Sequence, residues 1–216
     1  MVADGIYYAL GFAAGGALAG WLTSHWFASP LYLLALFCLW FFRDPERKIP
    51  DGAVAVSPAD GKVVAVNPEH GGNRVSIFLN VFDVHVNRTP IAGSVTAVEY
   101  HKGEFLVASR DDASSKNEQN TITVEGGGSR VVFSQIAGLI ARRIVCSKKQ
   151  GDQVAMGERI GLIKFGSRVD VFLGPEWEIT VTRGMRVSAG SSVIARRGAL
   201  AAVKEAPKAQ HGEARL

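Results

Sequence analysis

Cysteine is scarce in this 216-residue chain: there are two, Cys38 and Cys146, the first inside an apolar run. Two such residues offer no disulfide framework. Charge is nearly missing from the N-terminus, where Asp4 is the only Asp, Glu, Lys or Arg before Arg43. With no basic stretch ahead of the apolar run and no small-x-small site after it, a cleaved signal peptide is not expected. There is no clustered basic stripe or aromatic platform, which argues against a nucleic-acid partner. Neither a G-x-S-x-G elbow nor a glycine loop leading into GK[ST] occurs, so the serine-hydrolase and phosphate-loop signatures are both lacking. Gly126–Ser129 resembles the latter only superficially and reads as a flexible hairpin tip.

What the chain has in quantity is apolar surface, 47% of its residues, enough for one well-buried domain with some left over. The surplus lies at the start. Gly5 to Phe27 contains one side chain that can be charged near neutral pH, His25, and as a helix spans about 34 Å, enough for a ~30 Å hydrocarbon core. Ala28-Ser29-Pro30 is expected to interrupt it, and Leu31 to Phe42 then reaches only about 18 Å. Either a helical hairpin with a short or re-entrant second arm, or one span followed by an interfacial helix, fits this pattern. Trp21, Trp26, Trp40, Phe41 and Phe42 stand where interface anchors stand. Arg43, Arg47 and Lys48 follow at once, which places the rest of the chain on the cytoplasmic face of a cell membrane. The formal charge is +4 overall and +5 over residues 43–216, so the body is expected to lie against anionic headgroups.

Residues 1–43 thus read as a membrane-anchoring segment and 44–200 as a single mostly β domain, a barrel or sandwich. The stretch 201–216, rich in Ala, Lys, Glu and Gln, reads as a mobile tail. Strand-like runs are Lys62–Val66, Arg74–Val81, Ser94–Glu99, Thr121–Val124, Arg130–Ser134, Arg159–Phe165, Val169–Leu173 and Glu178–Val181. Ile136–Ile144 fits a short helix or a buried strand. In Arg74–Val86 the apolar parity slips near Phe82, which predicts a bulge or bend and puts Asp83, His85 and Asn87 on one face.

The last third repeats itself. Gly151 to Ile160 and Gly184 to Val193 both read G-x-x-V-x-x-G-x-x-(I/V), 33 residues apart, and the second copy replaces Glu158-Arg159 with Ser191-Ser192. A serine hydroxyl can attack the carbonyl of its own preceding peptide, and a glycine before it removes the Cβ that would obstruct the attack. Elimination from the resulting ester leaves dehydroalanine, which hydrolyses to a pyruvoyl group with loss of ammonia. That ketone forms Schiff bases with amines and acts as an electron sink. The repeat also looks like the tight hammerhead-like turn of lipoyl and biotinyl carrier domains, but neither copy has a lysine at its turn.

Four motifs occur in register: Phe41-Phe42-Arg43-Asp44-Pro45, Ser57-Pro58-Ala59-Asp60-Gly61, Asp83-Val84-His85-Val86-Asn87-Arg88-Thr89-Pro90 and Ala189-Gly190-Ser191-Ser192. From about Phe41 to Ala195 the set resembles the phosphatidylserine decarboxylases, in particular the short bacterial and archaeal type. The resemblance implies a β-rich body with two pseudo-symmetric halves and self-cleavage at Gly190–Ser191. The products would be a β chain, 1–190, and an α chain, 191–216, paired as a heterodimer, with a homo-oligomer left open. Ser191 would become the pyruvoyl that takes the substrate as a Schiff base, with no metal and no pyridoxal phosphate. The substrate would be phosphatidylserine, drawn from membrane lipid and converted to phosphatidylethanolamine. The self-cleavage triad maps onto Asp60, His85 and Ser191, and His85 would also supply the proton during turnover. Ser192 and Asp83 are supporting candidates. Where the family's strand motif has a second histidine this chain has Arg88, for which His101 is the candidate substitute. His25, His70 and His211 lie in the apolar segment, a Gly-rich turn and the tail. Arg142, Arg143, Lys148 and Lys149 are candidates for phosphate only because they are basic. A non-catalytic membrane-anchored β module is the alternative, and it would leave Ser191 uncleaved.

Overall fold

The computed structural model describes residues 2–69, 71–106, 113–139, 143–164 and 166–198. Helices α1 (Ala3–Leu22) and α2 (His25–Phe41) form an antiparallel hairpin joined by Thr23–Ser24. The Thr23 hydroxyl donates to the Ala19 carbonyl at 2.6 Å, and Ser24 caps α2 by accepting the Trp26 N–H at 3.4 Å. The break therefore falls at Thr23–Ser24 and not at Ala28-Ser29-Pro30, since Pro30 lies inside α2. The amide that proline lacks would have bonded the Trp26 carbonyl; the Ser29 hydroxyl reaches that oxygen instead, at 2.9 Å. The arms have 20 and 17 residues, about 30 and 26 Å, so the second is longer than the sequence suggested. Glycine lets them approach: Gly5 packs on Phe42, and a Cβ on Gly16 would sit 2.9 Å from the Tyr32 ring. By length and composition α1 can cross a membrane, and at the hairpin's tip Trp21 and Trp26 are 82% and 86% exposed.

Every strand pair described in the body is antiparallel. One curled sheet of eight strands runs in the order β13 (Arg186–Val187), β2 (Gly61–Glu69), β3 (Gly72–Leu79), β11 (Ser167–Leu173), β7 (Ser129–Ile136), β6 (Gln119–Gly126), β5 (Gly93–His101) and β9 (Gln153–Val154). Two small sheets complete it. One is β1 (Val54–Val56), β14 (Val193–Arg197) and β12 (Trp177–Ile179); the other is β4 (Val86–Arg88), β10 (Arg159–Ile163) and β8 (Ile144–Cys146). On the inner face Val75, Ile77, Leu79, Ile122, Phe133, Val169 and Val171 form a core with no solvent exposure. The opposite face of β11 carries the buried ion pair Arg168–Asp170, 2.6 Å.

A pseudo-two-fold axis passes between β11 and β7, relating β13 to β9, β2 to β5 and β3 to β6. The hydrogen bonds repeat with it. Gly184 N–H reaches the Val63 carbonyl at 2.8 Å and Gly151 N–H the Val95 carbonyl at 2.8 Å; Val63 and Val95 return bonds to Met185 and Asp152, both 2.9 Å. The four turn glycines fall into matched left-handed pairs, φ +93° and +99° at Gly151 and Gly184, +73° and +77° at Gly157 and Gly190. The sequence repeat is therefore a backbone repeat, because only glycine occupies this region without strain.

Two sequence expectations left alternatives open. The parity slip near Phe82 is a bend and not a bulge: β3 ends at Leu79, Asn80–Asp83 turns, and the chain re-enters as β4 in another sheet. That turn is held by Asn80 Oδ1 on the Phe82 N–H, 2.7 Å, and Asp83 Oδ2 on the Asn80 N–H, 2.9 Å. Ile136–Ile144 is not one element either. Ile136 closes β7 and Ile144 opens β8, while residues 140–142 lie outside the described residues, as does the proposed tail.

Candidate active site

The two repeat turns meet at the pseudo-axis. Ser57 straps the second: it accepts the Gly190 N–H and donates to the Ser192 carbonyl, both at 2.8 Å. Thr89 straps the first in the same way, between the Gly157 N–H, 2.9 Å, and the Glu158 carbonyl, 2.8 Å. The straps cross-link through Val56 N–H to Pro90 and Arg88 N–H to Pro58, each 2.9 Å. Ile49 packs between the two second glycines; a Cβ on Gly190 would sit 3.1 Å from its Cδ1 and 3.0 Å from Arg88 Cδ. Glycine is thus required at 190 for its φ and for close approach.

The turns differ in what their side chains do. In the first, the Glu158 carboxylate accepts the Ala155 N–H at 2.8 Å and pairs with Lys148 at 2.5 Å, which holds it below the usual carboxylate range. In the second, the Ser192 hydroxyl takes over, accepting the Ser188 N–H at 2.9 Å. Ser191 Oγ has no hydrogen-bond partner among the described residues. Its own N–H donates to the Ser188 carbonyl at 3.1 Å, so the residue is fixed while its nucleophilic atom is not.

Asp60 is brought to this turn from the start of β2. Its Oδ1 accepts the Ala189 N–H at 2.8 Å, and Arg47 Nη2 grips both carboxylate oxygens at 3.0 and 2.8 Å. Both side chains are about six-sevenths buried, at 14% and 15% exposure. Arg47 belongs to a strap running from the foot of α2 under both turns. Within it Asp44 pairs with Arg88 at 3.0 Å and with Arg159 at 2.5 Å, and Glu46 holds Arg159 at 2.9 Å. Arg88, at the position of the expected second histidine, donates to the Gly157 carbonyl at 3.0 Å and to the Pro45 carbonyl at 3.2 Å. Burial, with Arg159 and Arg47 nearby, lowers its guanidinium pKa against the opposing pull of Asp44. Arg88 ties the strap to the turns and is not a proton carrier.

His85 stands three residues before Arg88 with 2% exposure, stacked on Phe41 at 4.3 Å between ring centroids. Its Nε2 accepts the Gly166 N–H at 3.4 Å, so the proton sits on Nδ1, which lies by the Asp83 main chain without an acceptor in good geometry among the described residues. Burial pushes its pKa down to about 4. The Asp83 main chain and carboxylate oppose the shift without cancelling it, and Arg43 adds to it. The imidazole is therefore neutral near pH 7. No hydrogen bond or ring contact joins His85 to Gly190 or Ser191 among the described residues.

Of the other candidates, Asp83 is bonded to Arg186 in β13 at 2.9 Å and so anchors its loop. His101 is 56% exposed at the end of β5, 3.7 Å from Glu99, with no bond to the turns among the described residues. Lys148 is taken up by Glu158, Arg143 and Lys149 are exposed, and Arg142, His70 and His211 lie outside the described residues. Among the described residues, no three His, Cys, Asp or Glu are grouped to hold a metal. Arg47, Ser57, Ile49 and Asp44 were missed as functional residues by sequence reasoning. Each lies in or beside a quoted motif, the one signal that could have found them.

The family model described as phosphatidylserine decarboxylase matches residues 34–195, which includes every element of this site. The chain belongs to the phosphatidylserine decarboxylase family and is an enzyme of that class, a carboxy-lyase. It is 69% identical over 197 residues to the phosphatidylserine decarboxylase proenzyme of Solibacter usitatus (strain Ellin6076), covering 91% of this chain and 97% of that one. The proenzymes of Erythrobacter litoralis (strain HTCC2594) and Magnetococcus marinus (strain ATCC BAA-1437 / JCM 17883 / MC-1) are 47% and 46% identical. They cover 90% and 87% of this chain and 87% and 89% of their own.

Proposed function

We propose that the chain cuts itself at Gly190–Ser191, converts Ser191 to a pyruvoyl group, and then decarboxylates phosphatidylserine to phosphatidylethanolamine. The observation that carries this reading is the contrast between the two repeat turns. Equivalent backbones leave Glu158 tied down and Ser191 Oγ unpartnered, beside a left-handed glycine. In processing, Ser191 Oγ attacks the Gly190 carbonyl and the peptide becomes an ester. Loss of the Ser191 α-proton then expels the Gly190 carboxylate, and water replaces the amine, which leaves as ammonia. Asp60, held by Arg47, fixes the Ala189 amide and with it the carbonyl under attack.

Residues 190–192 suit the product. The straps to Ser57 hold both sides of the cut, and β14, between β1 and β12, retains the small chain and its new N-terminus. Bound there, the ketone supplies an electron sink for breaking a carbon–carbon bond next to an amine. His85 keeps a proton on Nδ1 of a neutral ring, and would deliver it to the substrate carbon that has lost carbon dioxide. The hairpin would set residues 1–42 in the bilayer, with Arg43, Arg47 and Lys48 placing the body on the cytoplasmic face. A diacyl substrate then need not leave the lipid.

An intact mass spectrum of the purified chain, beside a Ser191→Ala control, tests the proposal. The expected wild-type result is a fragment beginning at position 191, lighter than its amine form by one ammonia. A single uncleaved mass in both samples would favour the non-catalytic β module.

A further inference from the structure

Three buried polar atoms have no partner in good hydrogen-bond geometry among the described residues: His85 Nδ1, beside the Asp83 main chain, Asn87 Nδ2 and Ser167 Oγ. Their residues are 2%, 0% and 0% exposed. Native folds rarely leave such atoms unpaired, because each loses its water on burial and gains nothing in return.

Bonds and register link their residues. The Gly166 N–H that binds His85 Nε2 directly precedes Ser167, and Asn87 lies two residues after His85 on the same strand face. Asn87 is held from behind by a line of amides, in which Asn120 Nδ2 donates to Gln135 Oε1 at 3.1 Å and Gln135 Nε2 donates to Asn87 Oδ1 at 2.9 Å. Asn120 and Gln135 face each other across β6 and β7, and Gln135 faces Val169 across β11, two residues from Ser167. The network spends the acceptor of Asn87 and leaves its NH2 free. Asn87 also adjoins Arg88 in β4, whose Cδ would lie 3.0 Å from a Cβ on Gly190, so one short strand carries both the donor and a contact to the scissile turn on alternate faces.

We infer that Asn87 and Ser167, beside His85, form an oxyanion site that receives an anionic group of the serine headgroup. The inference rests on the proposed activity. The donors are neutral, which has a chemical consequence. A carboxylate held by an arginine would be stabilised by the full charge and would resist leaving as carbon dioxide; one held by an amide and a hydroxyl is oriented without that penalty. The headgroup's phosphodiester is the other group of the same chemistry.

The test uses the full-length Ser191→Ala chain in detergent, so neither cleavage nor turnover is needed. Melting temperature is measured with O-phospho-L-serine and with O-phosphoethanolamine, and repeated with Asn87→Leu and Ser167→Ala added. A rise with phosphoserine alone that both added substitutions reduce assigns the site to the carboxylate. An equal rise with both probes, reduced in the same way, assigns it to the phosphate. No rise with either probe, or one that Asn87→Leu leaves intact, overturns the inference. In the cleavage-competent chain Asn87→Asp, which keeps the shape and loses the donors, should still yield the fragment starting at 191. Its kcat/KM for phosphatidylserine should fall at least tenfold. If wild type itself fails to cleave, the proposed function fails, whatever the melting data show.

Discussion

Arg47 offers a quantitative prediction, because it acts on the scissile turn only through Asp60. Its guanidinium binds both oxygens of a carboxylate whose third bond fixes the Ala189 amide. Arg47→Met removes two charge-assisted bonds from a largely buried carboxylate. Bonds of this kind are worth about 1.5–3 kcal/mol; taking about 2 kcal/mol as lost positioning of Asp60 gives a roughly thirty-fold slower self-cleavage. Asp60→Asn should be slower still, since it removes the partner itself. The informative variant is the double one. If Arg47 works through Asp60, Arg47→Met adds nothing once Asp60 is asparagine, and the double variant cleaves at the Asp60→Asn rate. The assay is a gel or mass time course of the 191–216 fragment from freshly translated chain. Wild-type cleavage in Arg47→Met, or two losses that multiply in the double variant, would refute the reasoning.

Two further outcomes are expected. His85 has a folded pKa of about 4 against 6.5 in the unfolded chain, so the unfolded state binds the extra proton between these values. Stability is full above about pH 6.5, declines as pH falls toward 4, and loses about 3 kcal/mol in all. His85→Phe in the Ser191→Ala chain should flatten that part of the Tm–pH curve, and an unchanged slope would assign it elsewhere. Gly184→Ala meets open space, whereas Gly190→Ala adds contact with Arg88 and Ile49 to the same left-handed strain. Gly184→Ala should cost about 1–2 kcal/mol and leave cleavage nearly intact, and Gly190→Ala should cost more and slow cleavage; equal cleavage rates would contradict the packing described at Gly190.

The parts legible in sequence were those encoded locally. Left-handed glycines at fixed spacing specify their own turns, so the repeat at 151–160 and 184–193 was readable, and it agreed with the two pseudo-symmetric halves that the family resemblance implied. Alternation in Arg74–Val81 gave β3, but parity cannot distinguish a bulge from a chain that changes sheets, so the turn at Asn80–Asp83 stood only as one of two alternatives. Pro30 looked like a break because the Ser29 hydroxyl that compensates for it is a three-dimensional detail. Asp60 and Ser191 stand in quoted motifs, and the structure brings Asp60 to the turn that holds Ser191. Arg47, Arg88 and Asp44 were not readable, because their meaning lies in ion pairs to residues 13, 44 and 115 positions away, and no local pattern announces such partners. Asn87 was visible only as a neighbour of His85; the amides that orient it come from β6 and β7.

Strand β14 carries a final consequence. It follows the Gly190–Ser191 bond by two residues and lies between β1 and β12 in a sheet built otherwise from the larger piece. A chain cut at that bond turns an intramolecular strand into a bound peptide, whose hold depends on concentration as a ligand's does. Heating or denaturant would then release a peptide that dilutes away. The mature enzyme would be able to unfold but not to rebuild itself, and its lifetime would be set by how rarely β14 lets go.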